Sequence, residues 1–437
     1  MVSVVFDKIV REKSEGKERE MMSASEEVLN ALEKGQMEEG MKQLHRALND
    51  DSDDLLGELS ERLWEMGFLD EARQVLLTLR ERQPQNDEWN VTLAEIAIEN
   101  DDLDAAFDYL EQVAPTSKAY PESLLVLADL YQMIGIPEVS ETKLKEVKQL
   151  LPNESLIDFA LAELYFSLGD YHRASEQYQL LIQQGIEEEA GVSINARLGK
   201  ALSMEGKFED AIPYLEKAVD IDRSDDHLFE LAYTYLQLEE RGKAIQLLKE
   251  LKELNPTYQS LYYFLAEALK EEERDAEALE VVKEGIEQDA FQARLFQLAA
   301  ELSYRLHDVS AAEDYLKQAI ELGDGVDESI LALSQLYLSE ERFEEAIDVL
   351  KQLEEVDGYA KWILAQAYRG MEEDEKALPL YKEANLEMGH NPDFMRDYGL
   401  YLREIGQMAD SNEVLEHYLH HVPDDMEIQT LLNDGLL

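Results

Sequence analysis

Small side chains recur along this chain about every thirty-four residues, and that interval constrains the fold more than any other feature. The small residue falls at Val28 (the weakest case), Ser60, Ala94, Ala128, Ala162, Gly199, Ala232, Ala266, Ala300, Ser334, Ala365 and Gly399. Successive gaps are 32, 34, 34, 34, 37, 33, 34, 34, 34, 31 and 34. An aromatic or aliphatic residue follows three places on, often glycine seven on, and a second small residue twelve on. From Ala162 these are Tyr165, Gly169 and Ala174, and from Ala128 they are Tyr131, Gly135 and Ser140. So long a period, kept over eleven intervals, predicts stacked repeats in a chain of 437 residues that is too long for one core.

Apolar residues at helical spacing lie on both sides of a polar break, so each repeat reads as two amphipathic helices joined by a tight turn. Ala162 and Tyr165 share a face, Gly169-Asp170 supplies the turn, and Ala174, Tyr178 and Leu181 form the facing stripe. Small residues at 162 and 174 let the two backbones approach. Pro84, Pro152, Pro256 and Pro423 fall where a second helix must stop.

This unit resembles the tetratricopeptide repeat, a helix–turn–helix of about 34 residues with small, aromatic, glycine and small residues at these offsets. The resemblance covers roughly residues 22–423. Units near 121, 155, 225 and 259 match well, and those near 21, 293 and 392 are degenerate. It implies an all-α, right-handed superhelical solenoid of about twelve helix pairs. After the last proline, Asp424–Leu437 reads as a capping helix that turns Met426, Ile428, Leu431 and Leu432 onto the last repeat, with a docking tail as the competing reading. The chain also looks like acidic cytoplasmic repeat proteins of Bacillus-type bacteria. The 37-residue gap inserts residues around 184–191, which predicts an irregularity dividing an arc over 21–190 from one over 191–423. The 31-residue gap shortens the connection at Val356-Asp357-Gly358.

Acidic residues number 97 against 40 Lys plus Arg, a net charge of −57, spread along the chain. That field opposes nucleic acids and anionic membranes, which bind through their phosphates. It serves solubility first and attraction of a basic partner second. Cysteine is absent, which removes disulfides and thiolate metal ligands and fits a cytoplasmic location. No run approaches the apolar length of a membrane span, and Asp7-Lys8 interrupts the apolar start before a signal-peptide core forms. Residues 1–20 read either as a flexible arm or as a mis-annotated leader, because Lys17-Glu18 can be encoded as a ribosome-binding site upstream of Met21 and Met22.

Catalytic signatures are missing: the sequence holds no HExxH, no GxSxG, no phosphate-cradling glycine loop and no calcium loop. No cofactor is expected, and the chain reads as no enzyme. His417, His420 and His421 stand at helical spacing beside Glu416 and are the only metal candidates; a polar patch on the last repeat helix is the favoured reading.

In the family that the chain resembles, ligands lie in the concave groove, against first-helix positions three before, one after and four after the first small residue. Carried over, these positions give a candidate groove of Phe159, Glu163, Phe166, Phe229, Tyr233, Tyr263, Glu267, Glu301 and Tyr304. Aromatics interleaved with carboxylates suit a protein or peptide with apolar anchors and basic side chains. None of the clear units carries the Lys and Asn that groove clamps for chaperone C-termini require. The expectation is a non-catalytic scaffold or adaptor, with an assembly factor or holdase as the alternative. Nucleic-acid binding and membrane insertion are not expected, and self-association is open.

Overall fold

The computed structural model describes residues 23–289 and 292–434. The leader at 1–20 lies outside the described residues. The chain divides into two compact units, Met1–Arg223 and Ser224–Leu437.

Among the described residues the N-terminal unit holds six helix pairs. These are α1 (Ala24–Glu33) with α2 (Met37–Asp50), α3 (Asp53–Glu65) with α4 (Leu69–Arg82), and α5 (Glu88–Glu99) with α6 (Leu103–Glu111). They continue as α7 (Tyr120–Met133) with α8 (Pro137–Leu150), α9 (Ser155–Ser167) with α10 (Tyr171–Gln183), and α11 (Ile194–Met204) with α12 (Phe208–Ile221). The C-terminal unit adds α13 (Asp225–Gln237) with α14 (Arg241–Leu254), α15 (Ser260–Glu271) with α16 (Asp275–Gln288), and α17 (Ala293–Arg305) with α18 (Val309–Leu322). It closes with α19 (Val326–Ser339) and α20 (Phe343–Leu350), α21 (Gly358–Gly370) and α22 (Asp374–Met388), α23 (Pro392–Glu404) and α24 (Met408–His421), and finally α25 (Met426–Asp434). The fold is all-α, with twelve pairs and a closing helix among the described residues, and the three degenerate repeats form pairs like the rest.

The small positions explain the pairing. Every residue from Val28 to Gly399 in the first set is buried, and so is its counterpart twelve places on, from Gly40 to Ser411. Ala162 and Ala174 are both fully buried. A Cβ on Gly199 would lie 2.5 Å from Leu215 Cγ, and one on Gly399 would lie 2.5 Å from Leu415 Cδ2, so only glycine admits these leucines. Large residues fill the space beside them; Tyr178, Leu215, Tyr381 and Leu415 lie in the cores of their units. Each leucine so buried contributes roughly 1.5–3 kcal/mol.

Each first helix ends in a residue of positive φ seven places after its small residue. Glycine stands there in six turns, as at Gly169 (φ 73°), where Asp170 N donates to Tyr165 O at 2.9 Å and closes the helix end. Asp101, Glu239, Glu273, His307, Glu341 and Glu372 hold the same conformation without glycine, at φ between 57° and 64°. The turn is therefore set by the packing of the pair and survives an unfavourable residue.

The insertion at 184–192 forms a hairpin in which β1 (Glu188–Glu189) pairs antiparallel with β2 (Val192–Ser193). Ala190 and Gly191 both have positive φ (50° and 77°), the combination a two-residue hairpin turn demands. The short gap is taken up differently from the sequence expectation: α20 itself is cut to 8 residues, and Asp357 then caps α21 by accepting from Ala360 N at 2.8 Å. In α25, Ile428 is buried against Met395, Leu415 and Tyr418, with Leu431 and Leu432 beside it. Met426 departs from the expected stripe and is 69% exposed.

Candidate partner-binding groove

In the N-terminal unit the three predicted groove residues sit on α9, and the first of them is core. Phe159 is only 2% exposed, its ring 6.5 Å from that of Tyr178 on α10. At this repeat the three-before position turns into its own helix pair, so Phe159 is unavailable to a ligand. Glu163 accepts from Tyr178 Oη at 2.5 Å and pairs with Arg197 Nη2 at 3.1 Å. The same guanidinium stands 5.7 Å from the centre of the Phe166 ring, which meets Tyr171 edge-on at 5.4 Å. Arg197, on α11, was not among the predicted residues, yet it occupies both the carboxylate and the ring.

On the first helices of the two pairs before α9 the surface is different. Glu95 on α5 and Glu122 on α7 have no ion-pair or hydrogen-bond partner among the described residues. Burial, followed by repulsion from Glu122, Glu99 and Asp129, pushes the Glu95 carboxyl up to about 7. Burial likewise raises Glu122 and Asp129. Neither α5 nor α7 carries a lysine or arginine that could relieve them.

In the C-terminal unit the predicted aromatics come together around a ring the offsets missed. Phe229 and Tyr233 on α13 stack at 6.5 Å, and both meet Phe264 on α15 edge-on, at 5.5 and 5.6 Å. Tyr263 lies 5.6 Å from Phe264 and under the Arg294 guanidinium at 3.9 Å. Tyr258, in the preceding connection, completes the group 5.1 Å from Phe229. All five rings are half-buried. The run Tyr262-Tyr263-Phe264 could have revealed this, because three consecutive rings on a helix cannot all face the core; here Tyr262 is the buried one, at 2%.

The predicted carboxylates are not free. Lys270 donates to Glu267 Oε1 and to Glu301 Oε2, both at 3.0 Å. Glu301 and Tyr304 instead line a groove of about 860 Å³ that runs over α17, α19, α21 and α23. Ala332, Gln335 and Ser339 on α19 are exposed along it, and Leu338 and Phe343 form an apolar flank. Arg369 pairs with Asp397 at 2.9 Å and Glu404 at 2.6 Å on its far side. Asp397 also accepts from Trp362 Nε1 (2.6 Å), Gln366 Nε2 (3.0 Å) and Tyr381 Oη (2.8 Å), so its acceptor capacity is used within the chain.

The metal candidates do not converge. The His417 ring centre lies 6.4 Å from His420 and 5.5 Å from His421, all three exposed. Among the described residues no group of three or more His, Cys, Asp or Glu is placed to hold a metal ion. Among them, too, no helix is long and apolar enough to cross a membrane.

Paired helices with buried small positions, left-handed turns at one offset and first-helix faces left open define a tetratricopeptide-repeat protein. Residues 132–186 match the family described as YpiA-like, tetratricopeptide repeats, and residues 359–425 match YpiA-like, C-terminal tetratricopeptide repeats. The chain is 34% identical over 421 residues to TPR repeat-containing protein YpiA of Bacillus subtilis (strain 168), spanning 93% of this chain and 99% of that protein. It belongs to the YpiA-like tetratricopeptide-repeat proteins. Similar solved structures include the APC/C hetero-tetramer Cut9–Hcn1, at 13% identity and TM-score 0.39, covering 94% of this chain and 95% of that one. A tetratricopeptide repeat protein from Parabacteroides merdae is 16% identical at TM-score 0.43, covering 56% and 96%.

Proposed function

We propose that this chain is a non-catalytic scaffold or adaptor that holds a partner protein or peptide against its first-helix faces. The observation that carries this reading is the five-ring group of Phe229, Tyr233, Tyr258, Tyr263 and Phe264. Its rings touch one another across neighbouring first helices and remain half-buried instead of entering the core. Rigid aromatics with partly open faces are what interface hot spots are built from. The groove continuing over α17–α23 adds apolar area on the same kind of helix face. Because the predicted carboxylates Glu163, Glu267 and Glu301 are paired within the chain, apolar contact carries affinity and charge refines it. The same proposal places the protein in the cytoplasm.

The test is the double variant Phe229→Ala, Tyr233→Ala in the full chain. Capture of a partner from native extract, read by mass spectrometry, should fall at least tenfold while the helical circular-dichroism signal is kept. Undiminished capture would remove the aromatic group from the binding surface.

A further inference from the structure

The groove over α17, α19, α21 and α23 has features that specify its occupant, given the reading of the chain as a partner-binding array. Neighbouring packed helices lie about 8–10 Å apart, so three steps from α17 to α23 span roughly 25–30 Å. A helix about 10 Å across, rising 1.5 Å per residue, would fill the 860 Å³ in about two turns and cross less than half that span. An extended chain at about 3.3 Å per residue crosses it in about eight residues. The middle of the groove is lined by exposed Ala332, Gln335 and Ser339, with Leu338 and Phe343 beside them. Each end carries a half-exposed carboxylate, Glu301 at 50% and Glu404 at 57%. In both, the in-chain cation (Lys270 or Arg369) engages Oε2 alone, and among the described residues nothing donates to Oε1.

We propose that this groove binds an extended segment of a partner protein, about eight residues long, carrying Lys or Arg at both ends, opposite Glu301 and Glu404. A basic side chain at each end supplies a donor to the unused carboxylate oxygen. The net charge of −57 favours approach of such a segment and disfavours an acidic one.

Three octapeptide pools, with six randomised positions between fixed ends of Arg, Ala or Glu, test this on the immobilised full chain. The Arg-ended pool should be retained at least tenfold over the Glu-ended pool. Glu301→Gln with Glu404→Gln should reduce that ratio to about twofold, although net charge hardly changes. Ala332→Trp, which fills an exposed floor position, should lower retention of the Arg-ended pool tenfold. A preference that survives the double glutamine variant is a bulk-charge effect and overturns the assignment of the ends. Equal retention of all pools, lost in Ala332→Trp, also overturns the end assignment but leaves the groove as a binding surface. Retention indifferent to Ala332→Trp, or no retention of any pool, overturns the groove assignment. The broader scaffold reading then stands or falls separately, on capture by the Phe229→Ala, Tyr233→Ala chain.

Discussion

Ser411 Oγ donates to the carbonyl oxygen of Gly399 at 2.8 Å, joining the two small positions of the last helix pair through a buried hydrogen bond. Ser140 occupies the same position of the fourth pair, equally buried, and its hydroxyl has no partner. Ser411→Ala should therefore cost about 1 kcal/mol, and Ser140→Ala should gain a comparable amount by removing an unsatisfied buried group. Denaturant midpoints of the two variants should move in opposite directions; movement in the same direction would mean the hydrogen bond is not what distinguishes the sites.

Glu341 holds a left-handed turn at φ 57° where half of the turns use glycine. Glu341→Gly should stabilise the C-terminal unit by up to about 1 kcal/mol, since an L-residue is disfavoured there by about 1–2 kcal/mol and glycine's extra freedom in the unfolded chain returns part of that. Gly169→Ala should do the reverse in the N-terminal unit. Thermal unfolding of each variant checks the sign.

Gly399→Ala inserts a methyl group 2.5 Å from Leu415 Cδ2, in a place where Leu415 is fully buried and has nowhere to turn. Alanine is the better helix former, yet overpacking should dominate and destabilise by about 1–3 kcal/mol. The paired substitution Gly399→Ala, Leu415→Ala should restore helix packing at Gly399 while leaving a cavity. The two changes should thus be strongly non-additive in denaturation.

Glu95 is a group whose protonation matters near neutrality. Its carboxyl is raised to about 7 in the folded chain from the ordinary 4.5, so the folded state binds the extra proton. The charged form is the unfavourable one: its penalty is full above pH 7, declines as pH falls through 7, and is gone near the ordinary carboxylate value. Stability of wild type relative to Glu95→Gln should accordingly rise from pH 8 to pH 6, by up to about 1 kcal/mol after discounting for partial exposure. A constant difference across that range would show that Glu95 is already neutral or well hydrated.

Much of the architecture was legible because a small residue inside a helix pair has one physical use. Ala162 and Ala174 nest where the spacing puts them, and the turn after Tyr165 is where Gly169 puts it. Glu341 and Glu372 were harder to read, because packing imposes the glycine conformation on residues that do not advertise it. The groove was legible only in part. Each step along a helix turns a side chain by about 100°, so an offset wrong by one residue separates Phe264, which touches three of the predicted or adjoining rings, from Phe159, which is core. Arg197 and Lys270 were invisible as partners of Glu163 and Glu301 because those contacts bridge neighbouring first helices, about thirty residues apart in sequence.

Asp397 gathers Trp362, Gln366 and Arg369 from α21 and Tyr381 from α22 onto a carboxylate of α23. Three helices thus share a single fastening, and opening any of them strands several polar groups together. Hydrogen exchange across 358–404 should then proceed as one cooperative event, not as fraying helix by helix from the chain end.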